Sequence, residues 1–429
     1  MERLLSIVEA HKKGTPVGVF SVCSANKFVI EALFRFVSTE GIDFVLLESS
    51  SNQVNQFGGY TGMTPAAFKD FVFEIAEKYK VSEGQIVLGG DHLGPLPWRN
   101  EDREIALTHA RALVKSCVEA GYRKIHLDTC YPLKNDEGFS METIAERQAL
   151  LCAVAEETFE KTKTAKSSPP VYVLGAEVPF PGGTKTVKGR ITPVEVLEKN
   201  IEVSEKYFLK FGLKEAWKRV IAFVVEPGVE FSHDRVQRYN SKVNRPLTEF
   251  LKKTPFVFEA HSTDYQTYED LKQMVVDGFA ILKVGPELTF LLREAVFALA
   301  MIEKEIVKES TQSKIVEVLI EEMKKDPSHW KDYYNKDDSL ALKYSFLDRI
   351  RYYWSKKSVE VALEKLVFNL RRAKLTIPLV SQYFPDLVAR VLKGEVFLEP
   401  LNLIFGKIEK AFVKYAHATF QLQGEKETP

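Results

Sequence analysis

A charge imbalance, clustered cysteines, a membrane-length apolar run and a glycine-rich nucleotide turn are all missing from this 429-residue chain, and each absence removes a class of function. Lys+Arg and Asp+Glu balance at 59 each, which leaves no electrostatic footprint for a general nucleic-acid binder or a polybasic membrane reader. The four cysteines, Cys23, Cys117, Cys130 and Cys152, are too far apart for a zinc knuckle or a CxxC redox pair. They read as reduced packing thiols of a cytoplasmic protein, even though Cys23 and Cys130 fall near strand ends. Met1-Glu2-Arg3 opens an amphipathic helical pattern rather than a secretory signal. The expectation is a cytoplasmic protein with neither nucleic acid nor membrane as partner.

What is present is alternation. Short apolar runs at Val17-Val22, Phe44-Glu48, Ile86-Gly90, Lys124-Asp128, Val171-Glu177, Ala222-Glu226, Phe256-Ala260 and Ala280-Val284 are separated by stretches of helical periodicity, such as Arg103 to Ala120 and Met141 to Ala155. Eight β/α units over roughly 290 residues fit an α/β fold of the (β/α)8 TIM-barrel type. An open doubly wound sheet is the alternative. It would bring glycines after its first strand, where this chain reads Ser21-Val22-Cys23-Ser24-Ala25-Asn26. Past residue 300 strands become scarce, and aromatic and basic residues concentrate between Tyr344 and Trp354. The expected organisation is a barrel domain over 1–303 and a helical C-terminal extension over 304–429, packed on the barrel.

Polar clusters follow the predicted strands, which is where parallel α/β enzymes keep their chemistry. The foremost is Gly89-Gly90-Asp91-His92-Leu93-Gly94-Pro95. His92, His233 and His261 can supply three imidazole ligands to a divalent metal ion, with Glu226 and Glu177 as carboxylates in the same reach. Such an ion is a Lewis acid suited to polarising a carbonyl. Asp91 and Glu177 are the candidate acid/base groups, and Asp128 can orient substrate or a ligand. His126 shares a strand face with Asp128 but stays outside the ligand set. His11, His109, His329 and His417 read as structural or exposed. Glu48, Ser49 and the residues after them have a composition fit for a polyol, with an ordinary helix cap as the plain alternative. Lys283 can bind an anion or form a Schiff base, with a salt bridge to a neighbouring strand as the plainer reading.

These pieces resemble metal-dependent (class II) aldolases through Asn26, Asp91-His92, Asp128, Ala176-Glu177, His261-Ser262 and Lys283-Val284. The closer resemblance is to the GatZ/KbaZ group, named for a subunit of D-tagatose-1,6-bisphosphate aldolase. It is carried by the Gly89–Pro95 stretch, Glu177-Val178-Pro179 with Pro181-Gly182-Gly183, Glu226-Pro227-Gly228, Asp348-Arg349-Ile350-Arg351-Tyr352-Tyr353-Trp354 and Leu379-Val380-Ser381-Gln382-Tyr383. The resemblance implies carbohydrate metabolism and a divalent metal ion such as zinc or manganese. The substrate it implies is a ketohexose, D-tagatose or D-fructose or a phosphorylated form, handled at C3–C4 by retro-aldol chemistry that ends in C4 epimerisation or cleavage. Asn26, Glu48, Ser49, Ser262, Asp264 and Lys283 are the expected substrate contacts. The other role it implies is a non-catalytic subunit that stabilises a separate aldolase, and self-association is equally open. One departure stands out: the turn His261-Ser262-Thr263-Asp264 lacks the glycines with which class II aldolases cradle a phosphate.

Overall fold

The alternation resolves into a closed barrel in the computed structural model, which describes residues 1–165, 167–175, 189–335 and 338–422. Its eight parallel strands are β1 (Val19–Cys23), β2 (Val45–Ser50), β3 (Ile86–Leu93), β4 (Lys124–Leu127), β5 (Val171–Gly175), β6 (Val220–Val224), β7 (Val257–Ala260) and β8 (Ile281–Val284). Each pairs with its neighbours in chain order and β8 returns to β1, so the open-sheet alternative falls. The strands sit close to where the apolar runs predict them, with end shifts of up to three residues. β1 begins at Val19 rather than Val17, β2 runs on to Ser50 rather than Glu48, β6 spans Val220–Val224 rather than Ala222-Glu226, and β3 runs on to Leu93 rather than stopping at Gly90. The shift in β3 matters for the site, because it carries Asp91 and His92 within the strand.

The lower half of the barrel is dry. Val19, Leu46, Val87, Val173, Val257 and Ile281 form one apolar cluster, joined by Leu4 and Val8 of the N-terminal helix Glu2–Lys12. Positions i and i+4 lie on one helix face, so the first helix plugs the barrel's floor with that pair. Burying these chains removes water from beneath the strand ends, which lowers the dielectric under the polar layer above. Among the described residues, no helix is long and apolar enough to cross a membrane.

The last helix, Pro400–Ala418, is part of the barrel wall. It packs against Lys27–Glu40, which follows β1, Tyr268–Val276, which follows β7, and Pro286–Ile306, which follows β8. Phe412 stacks on Phe20 of β1 at 6.1 Å between ring centroids and meets Phe36 at a tilt at 5.8 Å. The Tyr415 hydroxyl donates to the Thr263 carbonyl at 2.8 Å. Beyond the helix, the Thr419 carbonyl accepts from Gly18 N at 3.0 Å. The Gln421 amide bridges Phe20 N and the Phe44 carbonyl, just below the point where β1 and β2 begin to pair. The chain after residue 304 therefore does two jobs, sealing the β1 side of the barrel and roofing its mouth.

Phe412 is fully buried, whereas Phe397 is 68% exposed. Phe412→Ala is expected to cost about 3–5 kcal/mol in urea unfolding, and Phe397→Ala less than about 0.5 kcal/mol. Equal costs would mean that the last helix is not integral to the barrel.

Candidate functional site

The β3 motif is shaped by steric needs. Against β4, Gly90 pairs with Ile125 but Leu93 pairs with Leu127, so β3 carries one extra residue there. Such a bulge re-aims side chains, and it lets the consecutive residues Asp91 and His92 both turn to the mouth. His92 takes the left-handed conformation, φ +50°, at a cost of roughly 1–2 kcal/mol for a side chain with a Cβ. Gly89 leaves room for the Glu48 carboxylate, since a Cβ there would lie 2.8 Å from Glu48 Cγ. A Cβ at Gly94 would fall 1.7 Å from the Asp128 carbonyl oxygen. Only glycine lets the two strand ends meet so closely.

Below the imidazoles lies an ionic lattice. Lys124, with no exposed side-chain surface, places Nζ 2.8 Å from Glu48 Oε1 and 2.5 Å from Glu259 Oε2. Lys283 Nζ is 2.9 Å from Glu48 Oε2, 2.8 Å from Asp91 Oδ1 and 3.5 Å from Glu259 Oε1. The Ser21 hydroxyl donates to Glu48 as well. Burial alone would raise the carboxyls of Asp91 and Glu259, yet both are held well below the usual range. His92 and Lys283 do this for Asp91, and Lys124 and Lys283 for Glu259. Burial also works against the Lys283 ammonium, but Asp91 and the carboxylates around it push its pKa well above normal. Lys283 is thus held as an ammonium among Glu48, Asp91 and Glu259.

Above the lattice stand three imidazoles in a triangle, with ring centroids 5.1 Å apart for His92 and His126, 4.9 Å for His92 and His261, and 5.1 Å for His126 and His261. His92 Nδ1 meets Asp128 Oδ2 at 2.8 Å. This leaves Nε2 as its second nitrogen, in the carboxylate–imidazole pattern that orients metal ligands. His261 Nε2 is 2.9 Å from Glu259 Oε1. His126 Nδ1 is 3.1 Å from both the His92 backbone N–H and Asp91 Oδ1, and its Nε2 is buried without a partner. One contact to Nδ1 calls for a lone pair and the other for a proton, so the protein alone does not satisfy this ring. Burial lowers the pKa of His126 and pushes that of His261 down to about 3. Both rings are neutral, the form that binds metal. For His92 burial acts the same way, but the carboxylates of Asp91 and Asp128 outweigh it and raise the value. Ligand atoms of Asp91, His126, Glu259 and His261 all lie within 4.8 Å of one another. Neutral imidazoles and carboxylates so gathered fit a divalent cation.

The expected site residues divide into three groups. Asp91, His92, Asp128, His261 and Lys283 come together as described. Asn26, Ser262 and Asp264 line the cavity above them, a space of about 830 Å³. Asn26 caps the helix Lys27–Glu40, and Asp264 Oδ1 accepts from Gly285 N at 2.9 Å and Glu287 N at 2.8 Å. Others are elsewhere. Glu48 is committed to the two lysines beneath the cavity floor, and Ser49, on the opposite strand face, bonds the Tyr122 hydroxyl at 2.8 Å. His233 stands apart from the triangle, beside Tyr334, and its carbonyl accepts from Phe346 N in the extension. Glu226 is half-buried; its backbone N–H donates to the Thr192 hydroxyl, and its charge acts on Glu230. Glu177 lies outside the described residues.

His126, Glu259, Lys124 and Glu230 were not expected in the site. Three of them carried a signal: Lys124-x-His126 and Glu259-x-His261 each put two polar residues on one strand face. Glu230 follows β6 in a short antiparallel ribbon, Glu230–Phe231 with Val236–Gln237. Burial pushes its carboxyl up to about 7.

The family described as D-tagatose-1,6-bisphosphate aldolase subunit GatZ/KbaZ-like matches residues 4–420. The D-tagatose-1,6-bisphosphate aldolase subunit GatZ of Escherichia coli O1:K1 / APEC is 43% identical over 418 residues, 96% of this chain and 99% of that protein. The corresponding subunit of Klebsiella pneumoniae subsp. pneumoniae is 44% identical over 96% of this chain and 98% of its own length. The crystal structure of a probable tagatose 6 phosphate kinase from Sinorhizobium meliloti 1021 superposes with a TM-score of 0.85 at 36% identity, covering 94% of this chain and all of that one.

Removing the Lys124 charge leaves Glu48 and Glu259 facing each other in a dry interior. Lys124→Met is expected to destabilise the fold by about 3–5 kcal/mol, whereas Ser49→Ala, which removes one neutral hydrogen bond, costs about 1 kcal/mol. A urea titration in which Lys124→Met costs no more than Ser49→Ala would contradict the lattice as described.

Proposed function

The chain belongs to the GatZ/KbaZ-like family, and we propose that it is a metal-dependent enzyme acting on a ketohexose, D-tagatose or D-fructose or a phosphorylated form, at the C3–C4 bond. The observation that carries this reading is the imidazole triangle over a surplus of negative charge on the floor of a cavity. Glu48, Asp91 and Glu259 share the two ammoniums of Lys124 and Lys283, and Asp128 meets the His92 ring. With His126 and His261 neutral and His92 drawn toward its charged form, the four carboxylates still outnumber the buried cations, a surplus of negative charge that a bound cation would balance.

The ligands would be drawn from His92, His126 and His261, with Asp91 or Glu259 in reach. A divalent cation bound there supplies Lewis acidity toward the C2 carbonyl. The chain's own residues do the rest. Asp91, held as a carboxylate by Lys283 and His92, accepts the proton of the C4 hydroxyl. The C3–C4 bond then breaks, C4 becomes an aldehyde and its electrons pass to C3. Asp128 keeps His92 oriented, and Lys283 fixes the position of Asp91. Re-addition after the aldehyde rotates, with Asp91 returning its proton to the C4 oxygen, gives the C4 epimer; departure of the aldehyde with protonation at C3 is aldol cleavage. Glu177 is the proposed second carboxyl. The cavity lies within the roughly 300–1,000 Å³ range of small-molecule sites.

The relatives' description as aldolase subunits favours a second reading, in which the chain stabilises a separate class II tagatose-1,6-bisphosphate aldolase without turnover. The aromatic-basic segment would be the natural anchor for such a partner. Much of it is spent internally, however: Ile350 and Tyr353 are buried, and Tyr352 packs on Tyr60 and His329.

The test is the purified chain alone with Mn²⁺, Zn²⁺ or EDTA, given D-tagatose, D-fructose and their 1,6-bisphosphates, with epimer and triose products resolved by chromatography. Metal-dependent product abolished by EDTA is expected. Asp91→Asn should lower the rate about 10²–10⁴-fold. By elemental analysis, His126→Ala and His261→Ala should lose bound metal, and Asp128→Asn should bind it about 10–100-fold more weakly. No turnover by the metal-loaded chain, together with activation of an added aldolase, would replace this reading with the second.

A further inference from the structure

We propose that Arg351, delivered by the C-terminal extension, is the specificity residue that recognises a terminal oxyanion on the substrate, in place of the helix N-terminus that serves this purpose in many barrels. The proposal rests on the reading of the cavity as a ketose site.

Barrels commonly seat a phosphate at the loops after β7 and β8, against backbone N–H groups opening a helix. Here that place is filled from within. The Asp264 carboxylate takes the N–H groups of Gly285 and Glu287, at the start of Pro286–Ile306. The helix Lys27–Glu40, which also borders the cavity, has its first N–H groups taken by the Asn26 side chain at 2.9 and 3.3 Å. An anion entering the cavity meets no free helix end at either of these two places, and at Asp264 it meets a like charge. There its recognition falls to a side-chain cation.

Most cations of the cavity wall are already committed to carboxylates: Lys78 to Glu31, Lys283 to Glu48 and Asp91, and Arg371 to Glu399. Arg351 lines the same cavity and has no carboxylate within ion-pair distance among the described residues. Its Nη1 donates to the carbonyls of Leu347 and Asp348, and its Nη2 donates to the Tyr352 hydroxyl at 3.1 Å. The guanidinium also lies 4.6 Å from the Tyr352 ring centroid. These contacts hold the group in place, yet of its five N–H donors the Nε–H and one on Nη2 remain. Those two form the edge that grips a phosphate or carboxylate in bidentate fashion. The Tyr352 hydroxyl accepts from both Arg349 and Arg351, so its own proton is available to the same anion. Lys27, exposed at the rim, has no such anchoring.

Calorimetric titration of the full chain tests this with D-fructose 6-phosphate, a hexulosonate bearing a C6 carboxylate, neutral D-fructose and orthophosphate. Arg351→Gln should weaken the anionic ketoses about 10- to 100-fold and leave D-fructose within about twofold. Arg351→Lys, which keeps the charge without the fork, should recover part of the loss. Whichever anionic ketose loses more identifies the oxyanion the site is built for. Equal weakening of neutral and anionic sugars, or none, would overturn the proposal. If wild-type protein binds no ketose, the ketose reading fails on its own. The orthophosphate arm then decides: binding that disappears in Arg351→Gln upholds the anion site, and binding that is absent or unaffected ends it. Should Arg351→Gln not fold, Arg351→Lys and Tyr352→Phe carry the same comparison.

Discussion

The two ammoniums of Lys124 and Lys283 hold three carboxylates, those of Glu48, Asp91 and Glu259, in a layer sealed from water below by the apolar barrel floor. Ions taken out of water cost several kcal/mol each, and attraction repays that only where geometry is good and every group has a partner. The lattice meets this condition because its members come from five different strands around a closed ring, which places the groups more firmly than any loop can. Everything above depends on it. Asp91 keeps its charge because Lys283 is there, and Glu259, set by Lys124, in turn meets the His261 ring. Breaking one ion pair would disturb both the fold's interior and the groups that face the cavity.

The bulge in β3 brings acid and imidazole together above this platform. A regular strand would send Asp91 and His92 to opposite faces. The extra residue and the left-handed backbone at His92 bring both to the mouth, and Gly94 lets Asp128 close on His92 from the next strand. The strain is local and small beside the interactions it permits, the usual balance at a functional site. Ser262, also left-handed at φ +54°, follows His261 at the opposite side of the triangle.

The extension serves both the closure of the barrel and the wall of the cavity. Its last helix closes the barrel against β1 through Phe412 and Tyr415, while the segment around Arg351 and Tyr352 forms the cavity's outer wall. A barrel without this chain segment would lose both a wall helix and the roof over the imidazoles. Tyr352 sits between Tyr60 from the loop after β2 and a parallel-stacked His329, so the roof is fixed to the barrel by aromatic contacts rather than hinged away from it.

Strand number, order and the placing of the Asp91-His92 pair at a strand end on the cavity were legible in the sequence, because apolar periodicity reports burial and a polar pair follows the apolar run of β3. The candidates His261, Asp128 and Lys283 followed from the same logic. His233 and Ser49 show where that logic stops: residues near a strand end count as neighbours in a linear reading, but the chain direction beyond the strand and the alternation of strand faces decide where they point. His126, Glu259 and Lys124 show the converse. Their spacing marks a shared face, yet whether that face is the barrel's inside, and which groups meet across it, depends on the register between strands far apart in the chain. Hydrophobic patterning and local turn chemistry therefore determined the barrel and the end of it that carries the polar cluster. The closure of the ring, with partners up to 235 positions apart such as Lys283 and Glu48, decided which charges meet, because ion pairing depends on distance in space.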